Sequence, residues 1–250
     1  MLKEEVGALQ GAYMMPALLR SMRPRQWLKN LLIFVPMAAG HRFSTDTFIA
    51  TLLAFVAFCM CASSAYLLND VLDVAHDRLH PKKMHRPIAA GLVTVPQALG
   101  CSVLLGAAGL LLAALHNAAL AQAVGVYFTL TIFYSIWLKK MLLIDVAVLS
   151  VLYAIRIMGG GAATGITLSF WLMSFSFFLF LSLALLKRHN ELLRLNAMAE
   201  LAVPGRGYIP KDKMPVAIFG ICCAMLSAII LLMYYHSGTT SVLYPTPLCW

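Results

Sequence analysis

Asn69, Asp70, Asp73 and Asp77 fall within one short stretch, "NDVLDVAHD", and Arg78, Lys82, Lys83 and Arg86 follow close behind. The aspartates stand at i, i+3 and i+7, a spacing that on a helix puts all three carboxylates on one stripe. Like charges so placed repel, and the negative end of a helix dipole disfavours them further. A positive partner is required. Magnesium takes hard oxygen ligands, keeps several waters and is commonly held by one or two carboxylates together with substrate phosphates. An acidic stripe beside a basic loop therefore suits a Mg2+-diphosphate, with carboxylates for the metal and Lys and Arg for the phosphate oxygens. Two plainer readings use the same residues. One is a charged boundary loop of solvated Asp–Arg pairs; the other is zinc held by His76 and His80, four apart, with His85. Interleaved aspartates and the lack of a nearby cysteine count against zinc.

The elements that must position these groups are membrane helices. Hydrophobic residues make up 61% of the 250 residues and charged residues 12%. Several apolar runs approach or exceed the ~18 to 20 residues that cross a bilayer as a helix. Backbone groups in lipid must be satisfied within helices, so the expected fold is all-α: a polytopic transmembrane helical bundle forming a single domain over 1–250. Seven spans are visible, at 27–40, 47–69, 95–115, 118–138, 142–158, 167–187 and 215–236. The first is short and contains Pro36, which favours a kink or tilt. No small-residue cleavage site follows the first basic segment, so a removable signal is not expected. The chain closes on "LCW", which reads as the start of another apolar helix and leads us to expect a C-terminal truncation.

Basic residues alternate along the chain. Arg20, Arg23, Arg25 and Lys29 precede the first span, Lys139 and Lys140 follow the fourth, and Lys187, Arg188, Arg194, Arg206, Lys211 and Lys213 follow the sixth, whereas the opposite side has only Arg42. The positive-inside rule then places the N-terminus and the two long loops, 70–94 and 188–214, in the cytoplasm. The formal charge of +9 is topogenic and needs no nucleic acid. The cysteines lie mostly in apolar runs and are read as core packing.

Asp145 and Arg156 fall within or near an apolar span, where charges usually face a cavity or a partner. Eleven residues apart on one helix, they lie roughly 16 Å from each other, too far for a direct pair. Asp145 can face a polar chamber; Arg156 can meet another helix or a ligand phosphate. Arg25 and Lys29, four apart on a helix face, can hold phosphate or serve as inside-positive anchors. "GGGAATG" after Arg156 fits close helix packing or a turn better than a phosphate loop.

"NDVLDVAHD" resembles the NDxxDxxxD motif of the UbiA superfamily of intramembrane prenyltransferases, and the helix rhythm with two long cytoplasmic loops agrees. The resemblance implies that Asn69, Asp70, Asp73 and Asp77 bind Mg2+ and a diphosphate, with Asp70, Asp73 and Asp77 as metal ligands and Asp73 and Asp77 as the principal catalytic carboxylates. It also implies nine helices, of which seven are visible. Most of that superfamily carries a second, DxxxD-type motif after the sixth helix. Here that loop reads "LLKRHNELLRLNAMAE", with Lys187 and Arg188 and no paired aspartates. Together with "RPRQWLKN" and "YSIWLKKMLLIDVAVLSVLYAIRIMGGGAATG", the segments resemble a narrower branch, the decaprenyl-phosphate phosphoribosyltransferases.

That branch implies transfer of 5-phosphoribosyl from phosphoribosyl diphosphate to a polyprenyl phosphate, with Mg2+ as cofactor. The donor carries a 5-phosphate besides its diphosphate, and the acceptor is itself a lipid phosphate. More anions must be held than in aromatic prenyl transfer, and cations in place of a second carboxylate pair are electrostatically sensible. Lys82, Lys83, Arg86, Tyr134, Lys139, Lys187 and Arg188, with Arg25, Lys29, Asp145 and Arg156, are the expected substrate contacts. The protein is expected in the plasma (inner) membrane, its site facing the cytoplasm. The alternatives are a prenyltransferase joining a prenyl diphosphate to an aromatic acceptor, and a transporter with charges lining a path; clustering of the charges at span ends disfavours transport.

Overall fold

The computed structural model describes residues 15–197 and 207–237. Six helices among the described residues are long and apolar enough to cross a membrane. They are α1 (Thr45–Leu72), α2 (Val95–His116), α3 (Ala118–Ile136), α4 (Ile144–Thr164), α5 (Phe170–Ala197) and α6 (Lys213–His236). Each coincides with one of the six later spans expected from hydropathy, and the architecture is an all-helical membrane bundle. The closing "LCW", 248–250, on which the expected truncation rests, lies outside the described residues, as does 198–206 of the second long loop.

The first expected span, 27–40, takes another form. Pro24–Phe34 is a 3-10 helix, followed by a short α-helix, Val35–Ala39. Proline at the start of both segments fixes the local φ and removes an amide donor. At about 2.0 Å rise per 3-10 residue and 1.5 Å per α residue, the pair covers about 30 Å, close to the hydrocarbon thickness of a bilayer. The tighter winding also shifts the faces. In a 3-10 helix i and i+3 eclipse, so Arg25 and Lys29, expected on one face, are turned about 120° from each other.

Contacts divide the chain into two compact units, 1–136 with 155–166, and 137–154 with 167–250. In the first unit, α1 and α2 pack through small residues and reciprocal hydroxyl bonds: Ser64 Oγ donates to Ser102 O at 2.7 Å and Ser102 Oγ to Ser64 O at 2.9 Å. Without a hydrophobic drive in lipid, close approach and buried hydrogen bonds supply helix association. Gly160 of α4 meets the 3-10 segment so closely that a Cβ there would lie 2.0 Å from Ile33 O. The turn after α2 holds the end of α4, where His116 Nε2 is 2.8 Å from Ala163 O and Asn117 Nδ2 donates to Ala162 O at 3.0 Å. These bonds satisfy carbonyls that a helix end leaves without partners.

Behind the acidic stretch lies a cluster of Ala17, Leu67, Ile88, Val93 and Ala98. It ties the end of α1 to the loop that follows it and to the start of α2. In the second unit the core joins Val146, Leu181, Ala184, Leu185, Leu192, Tyr208, Val216 and Cys223, so α5 and α6 close around the first turns of α4. Cys59, Cys61 and Cys223 are buried as packing residues, as expected, while Cys222 faces outward.

Candidate functional site

The long helix α1 carries 28 residues, about 42 Å of rise, which exceeds the ~30 Å hydrocarbon core. Its last turn, bearing Asn69 and Asp70, therefore extends into the polar boundary. There the helix breaks at Asp73 (φ −90°, ψ 1°) and a short helix, Val74–Leu79, takes over. The chain stays helical enough for Asp77 N–H to donate to Asp73 O at 2.9 Å. The expected single stripe of three carboxylates is thereby split. Positions i and i+7 keep nearly the same bearing, and Asp70 and Asp77 are buried, at 3% and 1% exposure. Asp73 is half-buried and accepts from Asn69 Nδ2 at 3.2 Å.

Three cations meet the buried pair. Arg86 Nη1 lies 3.1 Å from Asp70 Oδ1 and 2.6 Å from Asp77 Oδ2. Arg23 Nη2 lies 2.6 Å from Asp70 Oδ1, with its guanidinium over the Tyr66 ring at 5.2 Å. Lys83 Nζ is 3.9 Å from Asp77 Oδ1. A turn at Lys83–His85 delivers Arg86, and Ile88, buried two residues later, anchors it to the core behind. Lys82 is exposed, and its amide donates to His80 Nδ1 at 3.2 Å. His80 thus serves the turn. Among the described residues no three His, Cys, Asp or Glu side chains come together as a metal cage, which removes the zinc reading and leaves the three aspartates short of a triad.

A magnesium ion nevertheless fits the donor set. Asp77 Oδ1 is buried and makes no hydrogen bond, and Asp70 and Asp77 already bring oxygens to one nitrogen. Two hard carboxylates with an unfilled lone-pair position match an ion that takes one or two carboxylates, waters and substrate phosphates. Asp70 and Asp77 would hold it, with Asp73 and Asn69 beside them.

Arg156 is buried in the same unit. Its Nε donates to Asn30 Oδ1 at 2.8 Å and its Nη2 to Tyr127 OH at 3.1 Å, and its guanidinium stacks on the Tyr127 ring at 4.8 Å. Asn30 in turn donates to Cys59 Sγ at 3.2 Å. The interhelical partner expected for Arg156 is therefore found in two neutral groups, neither of which the spacing of charges revealed.

The second unit holds a separate ionic cluster. Arg188 Nη2 pairs with Asp145 Oδ2 at 2.6 Å, and Arg188 Nη1 with Glu191 Oε2 one turn along α5. Tyr208 OH donates to Asp145 Oδ1 at 2.5 Å and accepts from Leu143 N–H at 3.1 Å, while the Arg188 guanidinium lies over its ring at 5.1 Å. Burial, aided by the Asp145 carboxylate, raises the Tyr208 hydroxyl above the ordinary tyrosine range, so it remains a donor at neutral pH. Asp145 was expected to face a polar chamber and Arg188 a substrate. Both are instead turned inward onto each other, because each supplies the countercharge that makes the other's burial tolerable. Tyr208 carried no signal beyond being a tyrosine in a polar loop.

Lys187, next to Arg188, points the other way. It is exposed and, with Leu183, Leu186, Asn190, Glu191 and Arg194, lines a cavity of about 380 Å3 along one face of α5. Tyr134, in the last turn of α3, and Lys139, in the turn Leu138–Lys140, are half-buried. Arg25 is exposed and Lys29 half-buried on the 3-10 helix.

Comparison with known proteins accords with this geometry. The model of the UbiA prenyltransferase family matches residues 30–249. A decaprenyl-phosphate phosphoribosyltransferase of Corynebacterium glutamicum is 43% identical over 181 residues, 70% of this chain and 54% of that protein. The chain thus spans about half the length of that relative. Nodulation protein NoeC of Azorhizobium caulinodans is 36% identical over 220 residues, 88% of this chain and 71% of that protein. Among solved structures, a UbiA homolog from Archaeoglobus fulgidus bound to GPP and Mg2+ superposes with a TM-score of 0.70 at 20% identity, covering 87% of this chain and 78% of that one. An all-helical membrane bundle, an "NDVLDVAHD" segment at the end of its first long helix and a family match over most of its length place the chain in the UbiA prenyltransferase family.

Proposed function

We propose that the protein transfers 5-phosphoribosyl from phosphoribosyl diphosphate to a polyprenyl phosphate, in the plasma membrane and from its cytoplasmic face. The observation that carries this reading is a site with too few carboxylates and many cations. Asp70 and Asp77 are surrounded by Arg23, Lys83 and Arg86, and the segment after the sixth expected span offers Lys187 where prenyl-diphosphate enzymes of the resemblance carry a second acidic pair. Such a balance suits a donor with two phosphate groups and an acceptor with a third. The name of the Corynebacterium relative supports it.

Asp70 and Asp77, both buried, would hold the magnesium, which would stabilise charge on the departing diphosphate. Arg23, Lys83 and Arg86 meet the phosphate oxygens and fix the leaving group in line. A lipid phosphate is already ionised near neutral pH, so its oxygen attacks ribose C1 without a strong general base, and positioning supplies most of the rate. The bond from C1 to diphosphate breaks, the bond from C1 to the lipid phosphate oxygen forms, and diphosphate leaves.

The likeness to a homolog bound to GPP and Mg2+ favours a second reading, prenyl transfer from a prenyl diphosphate to an aromatic acceptor. Parallel assays of membranes containing the chain decide between them. One receives ribose-labelled phosphoribosyl diphosphate and polyprenyl phosphate, the other labelled prenyl diphosphate and an aromatic acid. Label entering the lipid phase only in the first supports phosphoribosyl transfer; a prenylated aromatic product in the second refutes it.

A further inference from the structure

One nitrogen meets both carboxylates that would hold a metal. Arg86 Nη1 sits within hydrogen-bond distance of both Asp70 Oδ1 and Asp77 Oδ2, so a magnesium ion held by these two carboxylates would compete with it. We propose that Arg86 is a tethered cation that closes the Asp70–Asp77 pair to bare divalent metal, so that metal enters only with a diphosphate that draws the guanidinium away. The proposal deepens the reading above, and rests on it only in taking diphosphate as the anion.

Charge gives the direction of the coupling. Asp70, Asp73 and Asp77 contribute −3 and Arg23, Lys83 and Arg86 contribute +3, so the cluster is already balanced. A lone dication would upset that balance with unmatched positive charge and would displace Arg86 from both partners. Asp70 and Asp77 are buried and already neutralised by charge-assisted bonds from Arg86, which a metal must replace, so metal alone competes poorly. A diphosphate reverses both terms. It brings negative charge to match the dication and offers Arg86 a bidentate oxygen pair, the geometry that guanidinium prefers.

Exposure shows which partner moves. The Asp70 and Asp77 side chains are 3% and 2% exposed, whereas that of Arg86 is 26% exposed. The carboxylates are fixed by the helices that bury them. Arg86 reaches them from a turn on a long side chain, and can leave them without unpacking the core that holds Ile88.

The test is metal binding by the detergent-solubilised full chain, read as Mn2+ retained with the protein on equilibrium dialysis, with and without inorganic diphosphate and with protein-free Mn2+–diphosphate as the blank. Wild type is expected to bind Mn2+ at least about tenfold more tightly with diphosphate present, within the usual span of coupling between sites. Arg86→Met is expected to bind Mn2+ alone about tenfold more tightly than wild type and to lose most of the diphosphate dependence; Asp77→Ala abolishes binding in either background. Equal Mn2+ affinity of wild type and Arg86→Met without diphosphate overturns the proposal. If Arg86→Met does not fold, wild type still decides, because Mn2+ binding indifferent to diphosphate contradicts it. Inorganic diphosphate is common to both donor classes, so an absence of phosphoribosyl transfer leaves this result standing, and the reverse also holds.

Discussion

Asp145 and Arg188 form an ion pair of 2.6 Å in which the two side chains are 0% and 1% exposed. It joins the first turn of α4 to the C-terminal half of α5, and Tyr208 closes it from the second long loop. The pair turns Arg188 away from the face that carries Lys187, so two adjacent basic residues serve different ends.

A buried pair is costly to break and cheap to replace whole. Arg188→Met alone should destabilise the protein by about 3 to 5 kcal/mol, because it leaves the Asp145 carboxylate buried without a countercharge, whereas Asp145→Asn should cost less, since Arg188 keeps Glu191. The double variant should recover much of that loss. Thermal unfolding of the solubilised protein, arranged as a double-mutant cycle, measures the coupling. Additive losses would show the pair contributes nothing beyond its two members.

Tyr208 adds a pH signature. Its hydroxyl titrates above the ordinary value when folded, so above about pH 10 the unfolded chain releases this proton before the folded one does. The unfolded state then binds fewer protons, and the stabilisation, fully present below about pH 10, falls as pH rises. Tyr208→Phe should lose about 1 to 3 kcal/mol near neutral pH from its two hydrogen bonds, yet decline less steeply than wild type in alkali. Parallel stability curves above pH 10 would remove this assignment.

Helix packing in the first unit depends on a missing side chain. Gly160→Ala must move α4 off Ile33, whose carbonyl lies 2.0 Å from the new Cβ, and should lower the unfolding temperature markedly. Gly125 on α3 meets nothing within 4 Å; there alanine should be neutral, or stabilising by up to about 1 kcal/mol through helix propensity. Comparable losses at both positions would mean that close approach at Ile33 is not the cause.

Arg23 should matter for the acidic site. Its 2.6 Å bond to Asp70 is charge-assisted, and Arg23→Met should reduce phosphoribosyl transfer by about tenfold or more, with Arg23→Lys retaining part. Steady-state kinetics across donor concentration read this directly, and an unchanged rate would place Arg23 outside the working site.

Much of this was legible in the chain before its structure. Apolar runs marked six helices because lipid admits few other solutions, and the Asp70–Asp77 segment announced itself as charge at the end of a span. The failures have physical reasons. Arg25 and Lys29 were assigned one face by an α period that a proline-led 3-10 helix does not keep. Arg23 reaches Asp70 from a left-handed backbone position, φ 55°, immediately before Pro24, a geometry with no signature in residue type. Asp145, Arg188 and Tyr208 come from three separate segments, and only the packing of α5 and α6 around α4 brings them together.

The most direct test follows two labels into one product. Membranes containing the chain receive Mg2+, phosphoribosyl diphosphate labelled in the ribose and polyprenyl phosphate labelled at phosphorus, with Asp77→Ala as control. The expected result is a single lipid carrying both labels in equal amounts, dependent on Mg2+ and lost in the variant. Recovery of the lipid phosphate without ribose label, from a chain that is folded and inserted, would contradict phosphoribosyl transfer.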